Sequence, residues 1–147
     1  MPEKQKEKTL VQNRRARHDY FIEDAYETGI ELCVTEVKSL RLGKANLSDA
    51  YAEIKNGELW VQSMHISPYE KGNQFNHDAL RSRRLLMHKR EIRKLMGLTQ
   101  QKGYTLVPLR LYLKGSLVKM ELGLARGKKL YDKRASAAER ALRRNQM

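Results

Sequence analysis

The sequence predicts a mainly β fold: a small closed antiparallel barrel with two or three short flanking helices and a basic C-terminal tail that is disordered when free. Three observations predict it. Alternating apolar residues mark five or six strands, an Asn-Gly pair marks a tight hairpin, and 147 residues make one domain plus tails. Closing so small a sheet on itself avoids naked strand edges.

Taken in order, residues 1–12 are polar and unpatterned and read as a disordered arm. Asn13 to His18 is a basic run leading into a strand-like Asp19-Tyr-Phe-Ile-Glu. Beyond Gly29 a cleaner strand follows, with Ile30, Leu32 and Val34 on one face and Glu31, Cys33 and Thr35 on the other. Val37, Leu40 and Leu42 then fall at near-helical spacing. Gly43 supplies a stop, so a short helix with Lys38 and Arg41 facing outward is predicted.

Asn56-Gly57 suits a two-residue type I′ turn, in which both positions need positive φ. That loop sets Lys55 opposite Glu58, Ile54 opposite Leu59 and Ala52 opposite Val61. The apolar pairs share one face and the opposite charges share the other. Ser67 to Asn76 is a loop rich in turn formers.

A helix is predicted from about Ser82 to Met96, its stripe made by Leu85, Ile92, Leu95 and Met96. Arg84, Lys89, Arg90, Arg93 and Lys94 face outward, and Gly97 and Gly103 punctuate its end. Arg81, Arg83 and Arg84 stand at or before its start, where the helix dipole disfavours cations by a few tenths of a kcal/mol each. Such a placement serves an anionic partner better than it serves the helix. Tyr104 to Leu113 alternates again, and Pro108, lacking a ladder donor, argues for an edge strand or a bulge. Lys114-Gly115 turns the chain. Val118, Met120, Leu122 and Leu124 line a last strand that runs into the tail. Five-stranded barrels of the oligonucleotide-binding type are the natural candidate.

Charge narrows the partners. Thirty Lys and Arg against seventeen Asp and Glu leave +13, an excess that raises on-rates toward polyanions and makes affinity salt-dependent. Residues 126–147 alone carry eight cations and two acids, with almost nothing large to bury. Tyr131, between Lys129 and Lys133, can stack on a base while its neighbours hold phosphate.

Other classes find little support. The single cysteine, Cys33, excludes an internal disulfide and a cysteine-rich metal site, and reads as a small buried strand residue. No apolar stretch reaches membrane-span length and the N-terminus has no signal core, so no membrane partner and a cytoplasmic location are expected. The four histidines share no ligand spacing, and there is no glycine-rich phosphate loop. His18 and Asp19, with Glu23, are the nearest approach to a metal-dependent nuclease, but on a strand they point to opposite faces. The residues imply no enzyme, no cofactor and no metal. They leave a nucleic-acid-binding protein, in the plainest reading a generic single-stranded nucleic-acid-binding barrel.

Four segments together resemble one family. Asn13-Arg-Arg-Ala-Arg-His-Asp-Tyr-Phe-Ile-Glu, Glu36-Val-Lys-Ser-Leu-Arg-Leu-Gly-Lys-Ala-Asn-Leu-Ser-Asp, Arg83-Arg-Leu-Leu and Gly127-Lys-Lys-Leu-Tyr-Asp-Lys-Arg are similar, in order and spacing, to SmpB, the bacterial SsrA-binding proteins. The resemblance covers nearly all of the chain from Asn13 to Arg134. It implies a monomeric oligonucleotide-binding barrel over 13–126 with no enzymatic activity, and a tail over 127–147. It also implies a ligand, the tRNA-like domain of transfer-messenger RNA, carried with elongation factor Tu to ribosomes stalled on messages without a stop codon. There the tail would enter the empty mRNA channel of the small subunit, beside the decoding centre, and fold as a helix.

By motif, the transfer-messenger RNA face would include Asn13, Arg17, His18, Glu27, Arg83 and Leu86, with Lys38, Arg41, Lys44 and Asn46 added as much from charge as from family. The ribosomal RNA face would include Gly127, Lys128, Lys129, Tyr131, Asp132, Lys133 and Arg134. Arg140, Arg143 and Arg144 would meet phosphates on the channel wall. Leu86 reads equally as core or as RNA contact. The chain departs from the family's pattern at Tyr131, where many members carry His, and in a tail of thirteen residues after Arg134, shorter than is usual in the family. Ala135 to Arg144 favours helix by composition, yet isolated helices this short are marginal in water.

Overall fold

Asn56 and Gly57 take φ of 54° and 76°, and they close the hairpin that the sequence predicts. Its strands, β4 (Tyr51–Lys55) and β5 (Glu58–Gln62), pair Lys55 with Glu58, Ile54 with Leu59 and Ala52 with Val61. The structure is a computed structural model that describes residues 6–69 and 78–128; all tail residues from Lys129 onward lie outside the described residues.

The remaining elements are β1 (Glu7–Gln12), α1 (Ala16–Asp19), β2 (Tyr20–Ile30), α2 (Val34–Arg41), β3 (Ala45–Asn46), β6 (His65–Ile66), β7 (Arg83–Leu86), α3 (Lys89–Lys102), β8 (Thr105–Lys114) and β9 (Leu117–Gly127). The main sheet runs β1-β8-β4-β5-β7-β2-β9, and β9 pairs back onto β8. The path β8-β4-β5-β7-β2-β9-β8 is therefore a closed antiparallel ring, six paired strands among the described residues rather than five. β1 lies on the part of the β8 edge that β4 leaves free: β1 meets Arg110 to Lys114, while β4 meets Leu106. Leu59, Val61, Leu85, Leu106, Leu111, Met120 and Leu122 fill the interior. A smaller cluster of Ala16, Val107, Leu109 and Ala125 sits beneath α1.

Four local expectations give way to tertiary pairing. Glu7–Gln12 is a strand rather than part of a disordered arm. Leu10 and Val11 pack on the core, and Arg110 bonds Glu7 and Thr9 from 103 and 101 positions away. Ile30 to Thr35 does not continue as a strand: β2 runs through Gly29 and ends at Ile30, and Cys33 starts α2, its N–H donating to Glu36 Oε1 at 2.9 Å. Arg83–Leu86 is a strand, not the first turn of a helix. It fills the slot between β5 and β2, pairing Leu59 with Leu85 and Gly29 with Leu86, and without it the ring stays open. The helix begins only at Lys89 and passes through Gly97 to Lys102.

Pro108 marks a bulge, as its missing donor suggests, but not an edge, because β8 is paired on both sides. The register shift between Pro108 and Arg110 reverses which alternate residues face inward. Leu106 and Leu111 therefore meet the main core, while Val107 and Leu109 meet the cluster under α1.

Candidate nucleic-acid interface

The basic run 14–18 is held out from the barrel by the residue before it. Asn13 is 6% exposed. Its Nδ2 donates to Pro108 O at 2.8 Å and Leu47 O at 3.1 Å, and its N–H donates to Leu109 O at 2.8 Å. Asn13, expected to touch RNA, spends its amide N–H groups on clamping β8 to the 47 region. Ala16 is buried and pins α1, so Arg14, Arg15, Arg17 and His18 stand exposed around it.

His18 and Asp19 do not diverge, because they lie on a helix; Nδ1 and Oδ1 are 3.0 Å apart. Among the described residues no group of three or more His, Cys, Asp or Glu is placed to hold a metal. Lys128 Nζ donates to Arg17 O at 2.9 Å and lies 5.1 Å from the Phe21 ring centre. Gly127 pairs with Tyr20. The fold therefore brings Arg17 and His18 to the root of the tail.

Lys38, Arg41, Lys44 and Asn46 are all exposed on or after α2, and Lys38 lies 5.5 Å from the Tyr69 ring centre. Asn46 Oδ1 also accepts from Ser48 N–H at 2.8 Å, shaping the turn that faces α1. What holds α2 in place is a network around the Glu36 carboxylate. Arg83, expected to face RNA, has no exposed surface. Its guanidinium donates to Glu36 Oε2 and Met64 O at 2.6 Å each and to Ala79 O at 3.1 Å, while Arg81 binds the same carboxylate. Arg83 thus cannot meet RNA from this position. Burial alone would raise the Glu36 pKa, but hydrogen bonds from Arg81, the Cys33 N–H and Arg83 together hold it below its ordinary value.

Glu27 and Leu86, 59 residues apart in the sequence, meet in one groove of about 410 Å³ lined also by Gly29, Met87, His88, Glu91 and Lys119. Leu86 is 45% exposed, which removes the core alternative. Gly29 pairs with it, and a Cβ there would stand 3.1 Å from Leu86 Cβ, so only glycine leaves Leu86 its seat unstrained. Glu27 accepts from Tyr112 Oη at 2.5 Å and from Lys114 Nζ at 3.2 Å. The Tyr112 bond above all, against a partial burial effect and with help from Lys114, lowers the Glu27 pKa. Burial first and the Glu27 carboxylate second raise that of Tyr112. Glu27 is thus a fixed, ionised acceptor beside an exposed apolar side chain.

His88 and Lys119, which also line this groove, were not singled out by sequence. Lys119 arrives through the register of β9, and His88 through its place as the cap between β7 and α3. Among the described residues no helix is long and apolar enough to cross a membrane.

The model of the SmpB protein family matches residues 10–147. An SsrA-binding protein of Clostridium botulinum is 62% identical over 144 residues, spanning 98% of this chain and 92% of that one. One from Clostridium kluyveri is 61% identical over 142 residues, spanning 97% and 90%. A chain from a solved structure described as "tmRNA-SmpB: a journey to the center of the bacterial ribosome" superposes with a TM-score of 0.69 at 51% identity, covering 82% of this chain and 85% of that chain.

Proposed function

The chain belongs to the SmpB family, and on that footing we propose an RNA-binding adaptor that takes transfer-messenger RNA to stalled ribosomes for their rescue. The observation that carries the reading is the groove in which Glu27 and Leu86 meet, since two residues chosen by family motif are brought into contact range by register alone. A folded RNA can offer it a 2′-hydroxyl or an exocyclic amine for the Glu27 carboxylate and an unstacked base face for Leu86. Arg17 and His18 supply a second contact at the other end of β2. Glu27 lies seven residues from Tyr20, roughly 20 Å along a strand, so the two patches suit a rigid, folded ligand better than a short single strand. Lys38, Arg41, Lys44 and Asn46 extend the contact along α2.

The tail is the second arm of the adaptor. Gly127 and Lys128 begin it beside Arg17, and Lys129, Tyr131, Asp132, Lys133, Arg134, Arg140, Arg143 and Arg144 would meet small-subunit RNA at the decoding centre and along the empty mRNA channel. Elongation factor Tu would join through the RNA, and the adaptor would act as a cytoplasmic monomer. In this reading the protein's chemistry is binding alone.

Removal of residues 127–147 tests the division of labour. The shortened chain is expected to keep its affinity and preference for the tRNA-like domain while losing rescue of stalled ribosomes in a translation assay. A shortened chain that treats tRNA-shaped and random RNA alike at physiological salt would sink the reading.

A further inference from the structure

We infer that the solvent face of α3 is an additional phosphate-binding surface of the barrel, engaged by the backbone of a duplex arm of the same tRNA-like RNA that the Glu27–Leu86 groove takes. The inference rests on the function proposed above and adds a contact outside the motifs that led to it. Lys89, Arg90, Arg93 and Lys94 are all exposed. Spaced as two adjacent pairs four residues apart, they form a two-by-two array spanning roughly 7.5 Å of helix.

No carboxylate among the described residues pairs with any of the four. Several strand cations, by contrast, are matched: Arg84 with Glu31 and Glu58, Arg110 with Glu7 and Glu121, Lys114 with Glu27. Glu91, the acid of the first turn, lines the neighbouring groove. Lys89 and Arg90 occupy that same turn, where the helix dipole opposes cations, so the array is built against the helix's own preference. Ile92 and Leu95 are buried on the other side, which seats the helix on the barrel and holds the charges on a rigid element.

Position and chemistry select the occupant. The helix is capped by His88, which lines the groove with Leu86 and Met87, and Lys89 lines the adjoining hollow with Arg84, Leu86 and Gly57. The array thus begins where the groove ends. No aromatic residue lies on α3, so it has no platform for an unstacked base; what it offers is point charge for phosphates, the contact that positions a folded RNA.

The test replaces Lys89, Arg90, Arg93 and Lys94 together by glutamine in the full chain, a change that keeps helix propensity. Binding is measured to a transcript of the tRNA-like domain across a salt series and, separately, to small ribosomal subunits. The expected result is a salt slope flatter by about three units and affinity at least roughly tenfold weaker at physiological salt, since each of four lost phosphate contacts removes about 0.7 to 0.9 of a unit. Melting temperature is expected to hold, and the Lys89→Arg, Lys94→Arg variant is expected to bind as the parent does.

If the quadruple variant does not fold, Arg93→Gln with Lys94→Gln, away from the helix start, is expected to lose about half of that slope. An unchanged slope and affinity in a folded variant overturns the inference. So does a loss confined to small subunits, which would assign the face to ribosomal RNA. A parent chain without preference for the tRNA-like transcript overturns the proposed function first, and it is distinguishable because no variant is involved.

Discussion

Arg83 shows how far a side chain's role depends on what folds around it. In the sequence it is one of three arginines in a basic stretch. In the fold it is the one that turns inward, because β7 alternates and its neighbours Ser82 and Arg84 take the outer positions. A buried guanidinium is tolerable only when paired and fully bonded, and Glu36 with three carbonyl oxygens meets that need. Replacing Glu36 by alanine leaves that charge uncompensated and is expected to cost about 3–5 kcal/mol, read by urea denaturation. The sign of the pH effect follows from the lowered Glu36 pKa. Its stabilisation is complete above the ordinary value of 4.5 and is lost as pH falls below that value through the depressed one. Glu36→Gln is therefore expected to lose less stability between neutral and acid pH than the parent does. Leu86 gives the opposite case. Being about half exposed, Leu86→Ala is expected to shift stability by about 0.5 kcal/mol or less while weakening RNA binding roughly tenfold, the loss of about one half-buried apolar side chain. A large fall in melting temperature with binding intact would return Leu86 to the core.

Among the elements, those with a strong local signal form where the sequence places them. The Asn56-Gly57 hairpin needs two positive φ values and two agreeing faces, all of which lie within a dozen residues. Near-helical spacing and a stop at Gly43 place α2 within a residue or two, and β9 forms as the final strand with Met120 and Leu122 inward, though Leu122 to Ala125 are all buried. Elements that exist only through a distant partner depart from the local pattern. β7 carries a run of arginines and leucines that suits a helix, and it becomes a strand because β5 and β2 each leave an edge open to it. β1 has six residues and little burial of its own; the free half of the β8 edge recruits it. Removing residues 1–12 is accordingly expected to lower stability by about 2 kcal/mol, from the lost packing of Leu10 and Val11. A disordered arm could be cut without effect, so differential scanning calorimetry separates the two descriptions.

At the scale of the whole molecule, chain closure decides what the charges can do. The ring fixes β2 as a rigid spacer with the Arg17–His18 patch and the tail root at one end and the Glu27–Leu86 groove near the other. It also matches many surface arginines to carboxylates, leaving the α1, α2 and α3 faces as the cationic ones. Composition, the hairpin, the final strand pair, the excess of cations and the four family segments were all legible in the sequence, because each is a local pattern or a sum over residues. Which arginine is buried, that Asn13 clamps β8, and that Glu27 and Leu86 line one groove were decided only in three dimensions. Those outcomes depend on strand register between segments tens of residues apart, and register is settled by the closure of the barrel as a whole, not by any stretch of the chain read alone.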